Sequence, residues 1–470
     1  SGSGSNSGTY NGNGTAWMVK DIYSGSMSGL NSNYIEQDAI MGNEMYFFAS
    51  DGVNGYELWK SDGTEAGTVM VKDIVNGSGS SVGPYVNPHI TALNNTVYFV
   101  ANDGTHGEEL WKSDGTEAGT VMVKDINPTN ANGGIGTLIP MGNTLYFRAD
   151  DGTHGSELWK TDGTTSGTVM VKDIRSGSYP GLPETNRMTA VGNTLYFTAN
   201  DGTHGHELWK SDGTTSGTVM VKNINTHNLG AAGSQIQKIS VAGNYIYFEA
   251  QMSSWEYWRS DGTDAGTISL TTNNNRTANM GNSVTIGNTL YFGQNFDQLW
   301  KTDGTVSGTM MVKDVFPQQA NNIRFLHGHQ ADNPCDSNVG NTFYFAMGTS
   351  VSEPHYLWKS DGTASGTVQV KDANNANVEV GYSTCGIIGD TVYFSNHTGE
   401  QLWKTNGTPS GTKMVVDLGG SVNWRFVPLN NKLYFGGTNG VNGVELWALD
   451  PANITGLGSG SGGGTTNVTG

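Results

Sequence analysis

Acidic side chains recur, in three of four copies together with histidine, in short segments of one pattern, Asp-Gly-(Thr/Val)-(His/Asn)-Gly, and such side chains can bind cations or polar ligands. A carboxylate repeated in this way is a candidate oxygen ligand for calcium, which needs several oxygen atoms around it. The alternative is that each aspartate only accepts hydrogen bonds from the backbone of its own turn. The four carboxylates that we consider for calcium are Asp51, Asp103, Asp151 and Asp201.

The histidines of these segments are candidate ligand contacts. The three repeated histidines are followed by one more in the fourth copy, which gives the set His106, His154, His204 and His206. Neighbouring copies would hold them too far apart to share one metal ion, so the alternative is hydrogen bonding within each loop. Trp255 is an aromatic outlier that we predict to lie in a loop. There its ring could stack on a sugar, as tryptophans at binding surfaces do.

Two further groups come from an irregular part of the chain. His327 and His329 flank one glycine and precede Cys335, but their spacing is only a weak metal signature, and we keep the two histidines as candidate ligand contacts. Cys335 and Cys385 fall at nearly matching places in adjacent copies of the repeat described below. That placement predicts a disulfide between them. No nucleophile with a nearby base stands out, so we predict no catalytic residue and no enzymatic activity.

These residues are organised by a repeat whose third copy is Glu157-Leu-Trp-Lys-Thr-Asp-Gly-Thr-Thr-Ser-Gly-Thr-Val-Met-Val-Lys-Asp-Ile174. Nine copies follow one another, with a period typical of a propeller or solenoid. Their tryptophans are Trp59, Trp111, Trp159, Trp209, Trp258, Trp300, Trp358, Trp403 and Trp447.

Each copy predicts four short antiparallel strands, A to D. In the third copy we expect them at 137–141, 144–149, 157–161 and 168–174, with a tight turn at Gly142-Asn143. Apolar side chains alternate onto both faces of strands B and D. Sheets with two apolar faces pack against neighbours on both sides, as propeller blades do.

The two ends of the chain complement each other. Residues 14–22 match only the last part of the repeat, and the ninth copy stops at Asp450 without that part. A ring closed by strand exchange explains this division. We therefore predict an all-β fold: a closed β-propeller of nine four-stranded blades, whose last blade is completed by the N-terminal strand within residues 14–22.

Strand direction assigns the loops to two faces. The A–B and C–D turns lie on one, which we name the turn face, and they barely vary. The B–C loops and the D–A linkers lie on the other, the loop face, which carries nearly all the variation in length and sequence. Variable loops on a rigid scaffold are where binding is usually found, so we predict that the ligand binds the loop face.

Composition limits the classes of partner. The formal charge of −18 over 470 residues argues against nucleic acid, and no apolar run is long enough for membrane insertion. Glycine and serine dominate both ends, as in linkers. We predict a flexible segment at 1–13, one propeller at 14–451 and a linker or tail at 452–470.

The repeated Glu-Leu-Trp-x-x-Asp-Gly-Thr motif resembles the ELWxxDGT-repeat family of secreted and surface proteins of bacteria, over about residues 14–450. Seven copies keep the Trp-(Lys/Arg)-(Ser/Thr)-Asp-Gly-Thr core, the eighth has Asn406 for the aspartate, and the ninth is cut. The resemblance implies an extracellular or cell-surface repeat module with no defined reaction.

Two functions are consistent with these observations. The first is an adhesion or recognition module that binds glycan or extracellular protein through the loop face. The second is a non-enzymatic structural subunit of an extracellular fibre, sheath or large adhesin that self-assembles. Neither requires a cofactor, and calcium is the only candidate.

Overall fold

The structure is a computed structural model of the chain. It describes residues 16–31, 38–83, 87–129, 131–184, 187–226, 233–252, 254–270, 283–294, 298–315, 324–325, 338–348, 354–381, 385–422 and 426–454.

Nine four-stranded antiparallel blades form a ring, so the predicted nine-bladed propeller is confirmed. The first strands of adjacent blades contact one another and therefore line the centre, and the fourth strands lie at the rim. The described residues contain one helical element, a 3-10 helix at Pro451–Asn453. Within the same residues, no helix has the length and apolar character to span a membrane.

Strand β1 (Ala16–Lys20) belongs to the last blade. Blade 1 is formed by β2 (Asp38–Met41), β3 (Glu44–Ser50), β4 (Tyr56–Ser61) and β5 (Val69–Lys72). Blade 2 is formed by β6 (Thr91–Leu93), β7 (Thr96–Asn102), β8 (Glu108–Ser113) and β9 (Val121–Lys124). Blade 3 is formed by β10 (Ile139–Met141), β11 (Thr144–Asp150), β12 (Ser156–Thr161) and β13 (Val169–Lys172).

Blade 4 is formed by β14 (Met188–Val191), β15 (Thr194–Asn200), β16 (His206–Ser211) and β17 (Val219–Lys222). Blade 5 is formed by β18 (Gln237–Ala242), β19 (Tyr245–Gln251), β20 (Trp255–Ser260) and β21 (Ile268–Ser269). Blade 6 is formed by β22 (Ser283–Ile286), β23 (Thr289–Gln294), β24 (Gln298–Thr302) and β25 (Met310–Asp314).

Blade 7 has a first and a fourth position that are each divided into two short strands. Its strands are β26 (Arg324–Phe325), β27 (Asn338–Val339), β28 (Thr342–Gly348), β29 (His355–Ser360), β30 (Val368–Gln369) and β31 (Glu379–Val380). Blade 8 is formed by β32 (Cys385–Ile388), β33 (Thr391–Ser395), β34 (Gln401–Thr405) and β35 (Lys413–Asp417). Blade 9 is formed by β36 (Val427–Leu429), β37 (Lys432–Gly437), β38 (Glu445–Leu449) and β1.

The ring closes as the divided repeat predicts. β1 pairs antiparallel with β38, with Met18 opposite Trp447. The expected strands of the third copy are also present, and Gly142 in its tight turn has φ +63°. Strand D is shorter than expected and ends at Lys172, because the N–H of Ile174 turns inward to a carboxylate rather than to the sheet.

Buried side chains join each blade to the next. The described residues form nine hydrophobic clusters, each drawn from two neighbouring blades, and together they cover all nine junctions. Trp159 of blade 3, for example, packs in one cluster with Leu110 and Tyr98 of blade 2. Burial of an aromatic side chain contributes about 2–3 kcal/mol. The repeated tryptophan is therefore a packing residue between blades, as its fixed position within strand C indicates.

The Asp-Gly-Thr turn also fastens one blade to the next. Asp162 Oδ1 accepts hydrogen bonds from the N–H (2.9 Å) and Oγ1 (2.7 Å) of Thr164. The carbonyl oxygen of Gly163 accepts a hydrogen bond from Lys112 of the preceding blade at 2.8 Å. The Tyr98 hydroxyl of that blade lies against Gly163, which has φ +86°. The aspartate thus shapes the turn, and the glycine provides room for the neighbour.

We expect Gly163→Ala to destabilise the ring by about 3 kcal/mol, because the new Cβ combines left-handed backbone strain with displacement of the buried Tyr98. The urea midpoint of unfolding measures this. Gly142→Ala is the matched control, since its φ is also positive but no atom lies within 4 Å of the added Cβ, and it should cost only about 1 kcal/mol. Equal losses in the two variants would contradict the proposed clash between blades.

Candidate functional site

The B–C loops of blades 2, 3 and 4 share one hydrogen-bonded geometry. In blade 3, Asp151 Oδ1 accepts the N–H groups of Thr153 and His154, both at 2.9 Å. The other oxygen, Oδ2, lies 2.8 Å from Nδ1 of the His154 ring. Blade 1 makes the same loop with an amide, since Asn54 Nδ2 donates to Asp51 Oδ2 at 2.8 Å. Each aspartate therefore orients the side chain three residues after it.

In blades 2 and 3 the pairing shifts the pKa values of both partners. Burial alone would raise the pKa of Asp151, but the N–H groups of His154 and Thr153 and the imidazole outweigh it, so the pKa is lowered. The hydrogen bond to Asp151, and then its charge, raise the pKa of His154. The pKa of His106 is raised in the same way by the hydrogen bond to Asp103 and then by its charge. The ring edge that carries Nε2 makes no part of this bond, and the side chains of both histidines are more than one-third exposed.

The described loops do not present a set of ligands for the predicted calcium ion. Both oxygens of the loop aspartate accept donors from its own loop in each case: Asp51, Asp103, Asp151 and Asp201. In the part of the chain that the structure describes, no group of three or more His, Cys, Asp or Glu residues could hold a metal ion. Calcium binding remains a prediction.

Two predicted loop residues lie in strands. Trp255 is the first residue of β20 and pairs with Gln251, with its side chain partly buried, so its assignment to a loop was wrong. His206 likewise begins β16, opposite Asn200. Burial, and then the charge of Arg175, lower the pKa of His206. Stacking of Trp255 on a sugar remains a prediction, and the residue would do so from the end of a strand.

Several predicted residues lie outside the described ranges. They are His327, His329 and Cys335. Cys385 begins β32 and is 1% exposed. The predicted disulfide therefore stays a prediction, as do the ligand contacts of the two histidines.

A buried glutamate, which the sequence analysis did not select, fixes the linkers of the loop face. Glu157 is 0% exposed and accepts hydrogen bonds from the N–H groups of Ile174 at 2.9 Å and Arg175 at 3.2 Å. Burial raises its pKa to about 7, although the backbone donors oppose that shift. The same position is occupied by Glu57, Glu109, Glu207 and Glu445. The available signal was a charged residue directly before the buried Leu-Trp pair of strand C.

The linker between blades 3 and 4 carries the second feature that was missed. The Arg175 guanidinium carbon lies 4.8 Å from the centroid of the Tyr179 ring, which is 63% exposed. The Tyr179 backbone packs on Gly155, next to His154, and the Arg175 stem approaches Gly202, two residues before His204. The linker that carries Arg175 and Tyr179 therefore contacts two of the predicted histidine loops.

No protein-family model matches this chain, and a search of curated proteins finds no match. Solved structures are similar at low identity. A computationally designed protein shares 12% identity over 92% of this chain and 99% of its own, with a TM-score of 0.44. BamB from Moraxella catarrhalis shares 11% identity over 76% of this chain and 92% of its own, with a TM-score of 0.36. A structure from a study of two prolyl endopeptidases shares 10% identity over 80% of this chain and 55% of its own, with a TM-score of 0.40. These similarities carry no argument about activity.

Proposed function

We propose that this chain is a non-enzymatic recognition module, at the cell surface or outside the cell, that binds a glycan or an extracellular protein through its loop face. The observation that carries the proposal is the Arg175–Tyr179 pair between two histidine loops. An exposed ring and directional polar groups held on a rigid scaffold are the usual components of a binding surface.

The repeat supports a structural role for the turn face and a binding role for the loop face. On the turn face, the hydrogen bonds around Asp62 recur around Asp114, Asp162 and Asp212 with nearly the same lengths. On the loop face, equivalent linker positions carry different side chains. The resemblance to the ELWxxDGT-repeat family supports the proposed extracellular location.

One observation favours the alternative of a self-assembling structural subunit. The outermost strand of several blades begins with a valine that is 36–38% exposed, in the set Val69, Val121, Val169, Val219 and Val368. Unpaired outer strands with apolar side chains can join other chains. Negative-stain microscopy would show regular polymers if this alternative holds.

A glycan and protein array, probed with the purified chain in calcium and then in EDTA, tests the proposal. We expect saturable binding by a monomer; loss of that binding in EDTA would support the predicted calcium site, and binding that resists EDTA would favour aromatic stacking. A triple variant, His106→Asn, His154→Asn and His204→Asn, should weaken binding at least threefold. It should still fold, since Asn54 makes the equivalent bond in blade 1.

The turn-face variant Glu117→Gln is the control, because its side chain is exposed on the opposite face. Binding that is lost in Glu117→Gln but kept in the triple variant would contradict the assignment of the loop face. Absence of all binding, together with regular polymers, would favour the structural subunit.

A further inference from the structure

We propose that the loop face holds a subsite for an acidic sugar, formed by the linker between blades 3 and 4. The Tyr179 ring would stack on one sugar residue, and the Arg175 guanidinium would pair with a carboxylate of the same oligosaccharide. This inference rests on the proposed function and specifies the ligand class for the same face.

The charge of Arg175 favours an acidic ligand. Arg175 belongs to none of the ion pairs that the described residues form, on a chain whose formal charge is −18. A guanidinium presents a planar set of N–H donors that matches a carboxylate in a bidentate pair. A neutral sugar would leave that charge without a partner. The guanidinium therefore favours a uronate over a neutral hexose.

The aromatic ring supplies the second contact. At 63% exposure Tyr179 keeps much of its surface open to solvent, while Arg175 lies 4.8 Å from the ring centroid. Because the guanidinium lies over one face of the ring, a sugar residue would stack on the other face, and Arg175 would pair with a carboxylate of a neighbouring residue in the same oligosaccharide. Such stacking buries apolar C–H surface of the sugar against the ring.

The linker that carries these groups is fixed at both ends. Glu157 binds the N–H of Arg175, and Ser156 O accepts the N–H groups of Gly181 (3.0 Å) and Leu182 (2.9 Å). The Gly181 carbonyl in turn accepts the N–H of Asn200 of blade 4 at 2.8 Å. Binding would therefore cost little ordering of the backbone, which is what preorganisation provides.

The pair is specific to this junction among the linkers with the same backbone contacts. Among the described residues, the position of Arg175, defined by its N–H bond to the buried glutamate, is occupied elsewhere by Tyr23, Val75, Asn127 and Asn225. The position of Tyr179, defined by its packing on the loop glycine, is occupied elsewhere by Met27, Gly79 and Ala131. Asn127 and Ala131 lie in one linker, so the fold accepts asparagine and alanine at these two places.

The test compares hexamannuronate with mannohexaose, which differ by the carboxylate on each ring, by calorimetry on the full chain. We expect hexamannuronate to bind at least tenfold more tightly. Arg175→Asn should weaken its binding about tenfold and remove the preference, and Tyr179→Ala should weaken both sugars about tenfold. Met27→Ala, at the equivalent exposed position after β1, should change affinity less than twofold.

Equal affinity for the two sugars, or unchanged hexamannuronate binding in Arg175→Asn, would overturn the inference. If one of these two results is found while array ligands still bind and the histidine triple variant weakens that binding, the inference fails and the proposed function stands. If no ligand binds to the loop face at all, both fail.

Discussion

Raising the pH from 5 to 8 should lower the thermal unfolding midpoint by roughly 5–10 °C. The cause is a set of buried carboxyls whose pKa burial raises to about 7, namely Glu57, Glu109, Glu157 and Glu445. In the unfolded chain a glutamate loses its proton near pH 4.5, while the folded chain holds it to about pH 7. The stability from these protons is fully present below about pH 4.5 and is lost as the pH rises through 7. Each group contributes roughly 1–3 kcal/mol.

Other groups set the acidic limit of this profile. The turn aspartates, such as Asp62 and Asp162, have lowered pKa values because of hydrogen bonds from their threonines. Their contribution is present above about pH 4 and is lost as the pH falls further. His89 opposes the main trend, since burial lowers its pKa to about 4 and its contribution grows as the pH rises toward 6.5. His206 acts in the same direction, since burial also lowers its pKa, but these two histidines oppose four glutamates, so we expect maximum stability near pH 5.

Differential scanning fluorimetry across pH 3–9 checks this profile. Glu109→Gln cannot titrate at this position, so it should flatten the fall between pH 5 and 8 by about one quarter. Glu184→Gln, at an exposed position, should leave the profile unchanged. A midpoint that is constant or rises from pH 5 to pH 8 in the unsubstituted chain would refute the assignment.

Glu157→Ala should destabilise the protein by about 2–4 kcal/mol. The carboxylate accepts the buried N–H of Ile174 and the N–H of Arg175, and alanine leaves both without an acceptor. A buried donor left without a partner costs about 1–3 kcal/mol. The loss should appear as a lower urea midpoint and as faster proteolysis within 175–184.

Two variants control this experiment. Glu157→Gln keeps one side-chain oxygen as an acceptor and should lose about half as much stability as alanine. Glu184→Ala removes an exposed glutamate from the same linker and should change stability by less than about 0.5 kcal/mol. The anchoring role would be wrong if Glu157→Ala and Glu184→Ala gave the same urea midpoint and the same cleavage rate.

The same glutamate illustrates what local sequence reasoning overlooks. A glutamate before Leu158 and Trp159 is an ordinary member of a repeated motif in sequence. Its role depends on residues 17 and 18 positions later, whose N–H groups turn back toward it. Arg175 and Tyr179 were missed for a related reason, because a Gly/Ser-rich linker predicts flexibility until its backbone partners in blades 3 and 4 are known.

Trp255 shows the opposite error. In sequence it interrupts a degenerate loop and is typical of an exposed platform. In the structure the strand extends by one residue to include it, because Gln251 on the neighbouring strand provides a pairing partner. Strand ends depend on such pairing, and pairing is not a property of the strand's own residues.

The sequence by itself determined the architecture: nine copies, four strands in each, and a ring closed by residues near the N-terminus. This was possible because the repeat period, the two-sided apolar pattern and the divided last copy are all encoded along the chain. Only the tertiary structure decided which side chains meet. The Tyr98 contact with Gly163, the linker anchored by Glu157 and the Arg175–Tyr179 pair between two histidine loops all join segments that packing between blades brings together. Contacts of that kind depend on distances in space, which the order of residues does not contain.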